Sequence, residues 1–71
     1  MKTFNVALLS DDITAKTSYF FKIMAISEAE AIREAKELLF NELSKIIKMS
    51  LNDIKNEIEY NYYSQIFEFS N

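Results

Sequence analysis

The stretch Tyr19-Phe20-Phe21-Lys22-Ile23-Met24-Ala25-Ile26-Ser27-Glu28-Ala29-Glu30-Ala31-Ile32-Arg33-Glu34-Ala35-Lys36 decides the fold, because it contains a change of period. Up to Ile26 it is rich in aromatic and β-branched residues, the composition of a strand. One side of that strand carries Tyr19, Phe21, Ile23 and Ala25, and the other carries Ser18, Phe20, Lys22, Met24 and Ile26. Both sides are largely apolar, which predicts a strand that is central or covered on both faces. From Ser27 onward the period becomes helical. Ser27 followed by Glu30 is a capping box, in which the serine oxygen and the glutamate satisfy backbone N–H groups at a helix start.

The predicted helix spans about residues 28–48. Ile32, Ala35, Leu39, Leu43 and Ile46 fall on one stripe, and Glu30, Arg33, Glu34, Glu37, Asn41, Ser44, Lys45 and Lys48 fall opposite. Acids in its first turns and lysines in its last oppose the helix dipole favourably. Leu38, Phe40 and Ile47 widen the apolar arc, so they either pack under the sheet edges or, for Phe40 and Ile47, form a contact surface.

Upstream, Thr3 to Leu9 alternates Phe4, Val6 and Leu8 with Thr3, Asn5 and Ala7, a half-buried strand. The turn at Ser10-Asp11-Asp12 leads to the second strand, from about Lys16 to Ile26. A hairpin is the simplest pairing of these two strands. With no glycine in the chain, any turn position of positive φ falls to Asp or Asn.

Two readings of residues 50–71 stand. Ser50-x-x-Asp53 with Leu51, Ile54 and Ile58 caps a short second helix. Alternatively, Ile58, Tyr60 and Tyr62 alternate with Glu57, Glu59 and Asn61 as a strand, whose phase slips at Tyr63 because Phe67 and Phe69 lie on the other parity. The favoured reading is one turn after Ser50, then a strand over about 57–69 with a bulge or turn at the slip. The expected fold is α+β: a small antiparallel sheet built β-β-α-β, in strand order 2-1-3, with one amphipathic helix on one face and a right-handed crossover. The other face would expose some of Phe20, Met24, Ala7, Leu9, Tyr63, Phe67 and Phe69, and exposed apolar area of that kind marks a partner surface.

Composition narrows the function. Seventy-one residues make one domain, too small to bury more than about 60% of its unfolded surface. It has no His, Cys, Gly, Pro or Trp, so the usual proton shuttles, thiol nucleophiles, soft metal ligands and glycine phosphate loops are missing. No cofactor or metal site is expected, and no catalysis. Asp11-Asp12 lacks the further oxygen ligands that a Ca²⁺ or Mg²⁺ loop needs. Glu57 and Glu59, about 6.7 Å apart on a strand, have a spacing compatible with paired carboxylates but no implied pocket. Net charge is −3, concentrated in residues 49–71, where Asp53, Glu57, Glu59 and Glu68 face Lys55 alone. That balance disfavours direct nucleic-acid binding. No segment approaches the ~20 apolar residues of a membrane span. The apolar start is too short and too soon followed by Asp11-Asp12 for a signal peptide, and with no Cys the expected location is cytoplasmic.

Recognition then falls to surface. Tyr60, Tyr62 and Tyr63, with Tyr19 and Phe20, combine large apolar bodies with polar tips suited to interfaces. The expected partner-binding residues are Asp53, Glu57, Glu59, Tyr60, Tyr62, Tyr63, Phe20 and Met24. The expected partner is a protein, with a basic surface if the acids stand in for phosphates. A homodimer burying the open sheet face is the alternative.

The strand from Tyr19 to Ile26 running into the capped Ala-rich helix resembles the core of small β-β-α-β proteins of phages and mobile elements, among them anti-CRISPR inhibitors. The likeness is architectural and covers about the first two thirds of the chain. It implies a non-catalytic inhibitor that covers a binding surface of a nucleic-acid-processing host complex. It assigns no individual residue.

Overall fold

The computed structural model describes residues 1–10, 18–46 and 50–68. The order is β1 (Lys2–Ser10), β2 (Ser18–Ala25), α1 (Glu28–Ile46), α2 (Leu51–Asn61) and β3 (Tyr62–Glu68). The sheet has the order β2-β1-β3, with β1 antiparallel to both neighbours. It is therefore β1 that is central, and β2, for all its apolar faces, is an edge. The two edge strands run parallel to each other, and the helical connection between them crosses one face of the sheet.

On that face Phe4, Val6 and Leu8 of β1 are buried with Ile23 and Ala25 of β2. The alternation of β1 sends these side chains to the helices and leaves Thr3, Asn5, Ala7 and Leu9 on the other side. The buried line of α1 is Ala31, Ala35, Leu39 and Leu43, spaced by four and so stacked along one side of the helix. Its alanines lie toward the N-terminus, where small side chains permit close packing in the core they share with Ala25. Ile32 and Phe40, a turn to the side, are half-buried. Leu38 is exposed, contrary to the expectation that it packs under a sheet edge. Ser27 caps α1 as its sequence predicts: its Oγ accepts from the Glu30 N–H at 3.2 Å.

The C-terminal third corrects the favoured expectation. Residues 51–61 are helical, and the strand begins at Tyr62 instead of near residue 57. Ser50 caps α2, its Oγ accepting from the Asp53 N–H at 3.2 Å, and Ile54 and Ile58, one turn apart, complete the core. In the helix those two side chains sit about 6 Å apart along the axis on one side, so a single short segment of core takes both. On a strand they would share a face, but they would span ~14 Å, more than one turn of helix by a factor of two. Tyr62 has extended backbone, φ −117° and ψ 141°, so α2 passes directly into β3. The parity slip at Tyr63 marks the start of a strand with no bulge. The sheet carries two helices where the sequence suggested one. The turn at Asp11-Asp12, the strand start at Lys16, and Ile47, Lys48 and Phe69 lie outside the described residues.

Candidate functional site: the open sheet face and the flank of α2

The eight expected partner-binding residues do not form one surface. They divide among four environments, set by the helical state of residues 51–61.

The first is the open face of the sheet. The registers align Phe20 with Ala7 and Ala7 with Gln65, so these three form one row across the strands. The next row toward one end is Lys22, Asn5 and Phe67, and toward the other Ser18, Leu9 and Tyr63. No helix among the described residues covers this face. Phe20 is 74% exposed, Met24 61%, Phe67 60% and Tyr63 50%. Ala7 is buried between its neighbours, so the face dips at its middle row, with large apolar residues on both edge strands and Leu9 one row along the central strand. Among its described residues Lys22 is charged and none is acidic.

The second is the flank of α2 away from α1. Asp53, Glu57 and Tyr60 follow one another at spacings of four and three, which places them on one helical stripe. Tyr60 is 78% exposed, and Glu57 accepts a hydrogen bond from Asn61 Nδ2 at 2.7 Å. In a helix Glu57 and Glu59 point about 200° apart around the axis, so the paired-carboxylate geometry that a strand would give does not exist.

Glu59 belongs to the third environment, the groove between the helices. Its Oε2 lies 3.8 Å from Lys36 Nζ, a cross-helix ion pair. The groove, of about 720 Å³, is floored by Ile32, Phe40 and Ile58 and edged by Arg33 and Lys55. Phe40 is therefore half-buried beside a cleft that exists only because of α2. Reading residues 57–69 as a strand hides this groove, and the Ser50-Asp53 cap is the sequence signal that reveals it.

Tyr62 is the fourth. It faces the helical side of the sheet, where its ring stands 6.2 Å from that of Tyr19 at 56°. Burial, then the neighbouring Tyr19 hydroxyl and the Glu57 carboxylate, raise its pKa above the usual 10. Burial and these two neighbours disfavour the phenolate, so the side chain is a neutral packing group. It is not available for recognition in the way that Tyr63, the next residue, is. No helix among the described residues is long and apolar enough to cross a membrane.

Comparison with known proteins returns no matching family model, no similar curated protein and no similar solved structure.

Proposed function

We propose that this chain is a non-catalytic protein-binding module of the cytoplasm that works by presenting two surfaces. The observation that carries the reading is the open sheet face, with Phe20, Met24, Tyr63 and Phe67 exposed on the side of the sheet away from the described helices of an 8.3 kDa protein. An antiparallel sheet that faces water alternates polar residues outward. This one turns aromatic rings outward, a distribution that favours covering by protein.

The second surface is the acidic stripe of α2, Asp53, Glu57 and Tyr60. It lies on the molecule's most acidic third and is separate from the sheet face. The resemblance to inhibitors from phages and mobile elements makes a nucleic-acid-processing host complex the target class, and a carboxylate stripe can occupy a groove that otherwise takes phosphates. Glu59 contributes less to such a stripe because it points to the groove and is tied to Lys36.

The test is capture from host lysate by tagged wild type, Phe20→Asp and Asp53→Lys/Glu57→Lys, each at low and high salt. The reading predicts a nucleic-acid-processing protein that wild type retains at low salt, releases at high salt, and that the double charge reversal does not retain. A captured set identical for all three chains contradicts it.

A further inference from the structure

We infer that the occupant of the open sheet face is a second copy of this chain, seated so that Phe20 of each copy inserts between Tyr63 and Phe67 of the other. The inference rests on the reading of that face as a docking surface and names its partner.

Charge selects the partner first. The chain carries eleven acidic residues and a net charge of −3, yet none of the described residues on this face is acidic. A basic partner finds no complement there. An isologous interface, in which one patch meets itself, is opposed by a strong excess of one charge sign on the patch. This face has no such excess. Lys22 sits on an edge strand, at the rim, where the stem of a long side chain can lie along apolar surface.

Shape is the second argument. Phe20 stands in the row of Ala7 and Gln65, and Tyr63 and Phe67 stand one row to either side of Gln65 on the opposite edge. Rows on one face are about 6.8 Å apart along a strand, so the two rings on β3 leave a gap above Gln65. A two-fold axis parallel to β1 and passing over Ala7 keeps each row at its level and exchanges the edges, laying β2 of one copy over β3 of the other. Phe20 then meets the gap above Gln65, and the same contact recurs on the other side of the axis. On the axis Ala7 faces Ala7 of the other copy, and the rings interdigitate along the two edges within the ~10 Å separation of aligned sheets.

Area is the third. The four large side chains expose roughly 450 Å² at typical aromatic and Met side-chain areas. The smaller residues between them bring the face to about 600–700 Å² per copy, close to the ~800 Å² per partner of a standard stable interface.

Sedimentation velocity over a concentration series tests this with wild type, Phe20→Asp, Gln65→Trp and, as a control off the face, Tyr60→Asp. The inference predicts a wild-type species of twice 8.3 kDa, matched by Tyr60→Asp. Phe20→Asp should raise the dissociation constant by about 30-fold or more, the effect of losing a buried interface anchor. Gln65→Trp fills the gap and should weaken the dimer at least about tenfold, although it adds apolar area. A wild-type chain that stays monomeric up to about 100 µM, well above the micromolar range of weak specific complexes, overturns the inference while leaving a different protein free to bind the face. A dimer that survives Phe20→Asp unchanged overturns the inference, because it forms through another surface. A dimer tightened by Gln65→Trp overturns the proposed seating. Phe20 and Gln65 are both exposed, and circular dichroism of each variant verifies the folded state being compared.

Discussion

Tyr19 and Tyr62 meet ring to ring at 6.2 Å on the helical side of the sheet, joining its two edge strands across the end of the central one. Tyr19 is aligned with Leu8 on β1, and Tyr62 with Ser10. The contact fixes where α2 ends, because Tyr62 is both the C-cap of that helix and the first residue of β3. It also gives the fold an alkaline limit. The folded pKa of Tyr62 is raised by burial, by Tyr19 and by Glu57, so the folded state holds its proton more tightly than the unfolded chain. The stabilisation is complete below the ordinary tyrosine pKa near 10 and is lost as pH rises through the higher folded value. Thermal melts of wild type and Tyr62→Phe should therefore diverge above about pH 10, wild type losing stability more steeply. Parallel curves would show that Tyr62 does not couple to unfolding.

The Ser50 cap holds α2 in place. Ser50→Ala removes the acceptor for the Asp53 N–H and should cost about 1 kcal/mol, which is about 4–8 °C in Tm for a domain of this size. Ser50→Asp should restore most of it, since aspartate caps equally well. A full-stability Ser50→Ala variant would mean that tertiary packing alone fixes this end.

Leu39 lies at the centre of the core with none of its surface exposed. Leu39→Ala should cost about 2–5 kcal/mol, a large part of the 5–15 kcal/mol typical of folded domains. Denaturant titration should find it largely unfolded or close to it. The adjacent exposed Leu38→Ala should change stability by less than about 0.5 kcal/mol, and equal effects at the two positions would contradict the described orientation of α1.

The Lys36–Glu59 pair spans the two helices at 3.8 Å, with both side chains partly in solvent. Glu59→Gln should change stability by less than about 1 kcal/mol, with the difference shrinking as salt is added. A larger, salt-independent loss would assign the helix-helix junction to this pair instead of to Ile54 and Ile58.

Which parts of this fold were legible follows from how local their signals are. Ser27 and Glu30 announce α1 because capping is satisfied within four residues, and the alternation of Phe4, Val6 and Leu8 fixes the inner side of β1. Ser50 and Asp53 announce α2 by the same chemistry, but Ile58, Tyr60 and Tyr62 imitate a strand period. Burial separates the two: Ile58 is in the core and Tyr60 is exposed, a contrast that the letters alone do not express. The site suffered more than the fold from that choice. A strand would have put Glu57, Glu59 and the three tyrosines together, whereas the helix disperses them to a flank, a groove, the core side and the open face. The exposure of Phe20 and Met24 was recognisable because a strand with two apolar sides has one too many for a sheet with a single helical layer. The strand order β2-β1-β3 was legible from connectivity, since a hairpin followed by a helical crossover leaves the third strand a place beside the first.

The most direct measurement is hydroxyl-radical footprinting of the full chain across concentrations from low micromolar upward. The account predicts that protection of Phe20, Met24, Tyr63 and Phe67 rises together with concentration while Tyr60, on the flank of α2, stays reactive throughout. Reactivity at the four sheet residues that does not change with concentration, or protection that appears first at Tyr60, would contradict it.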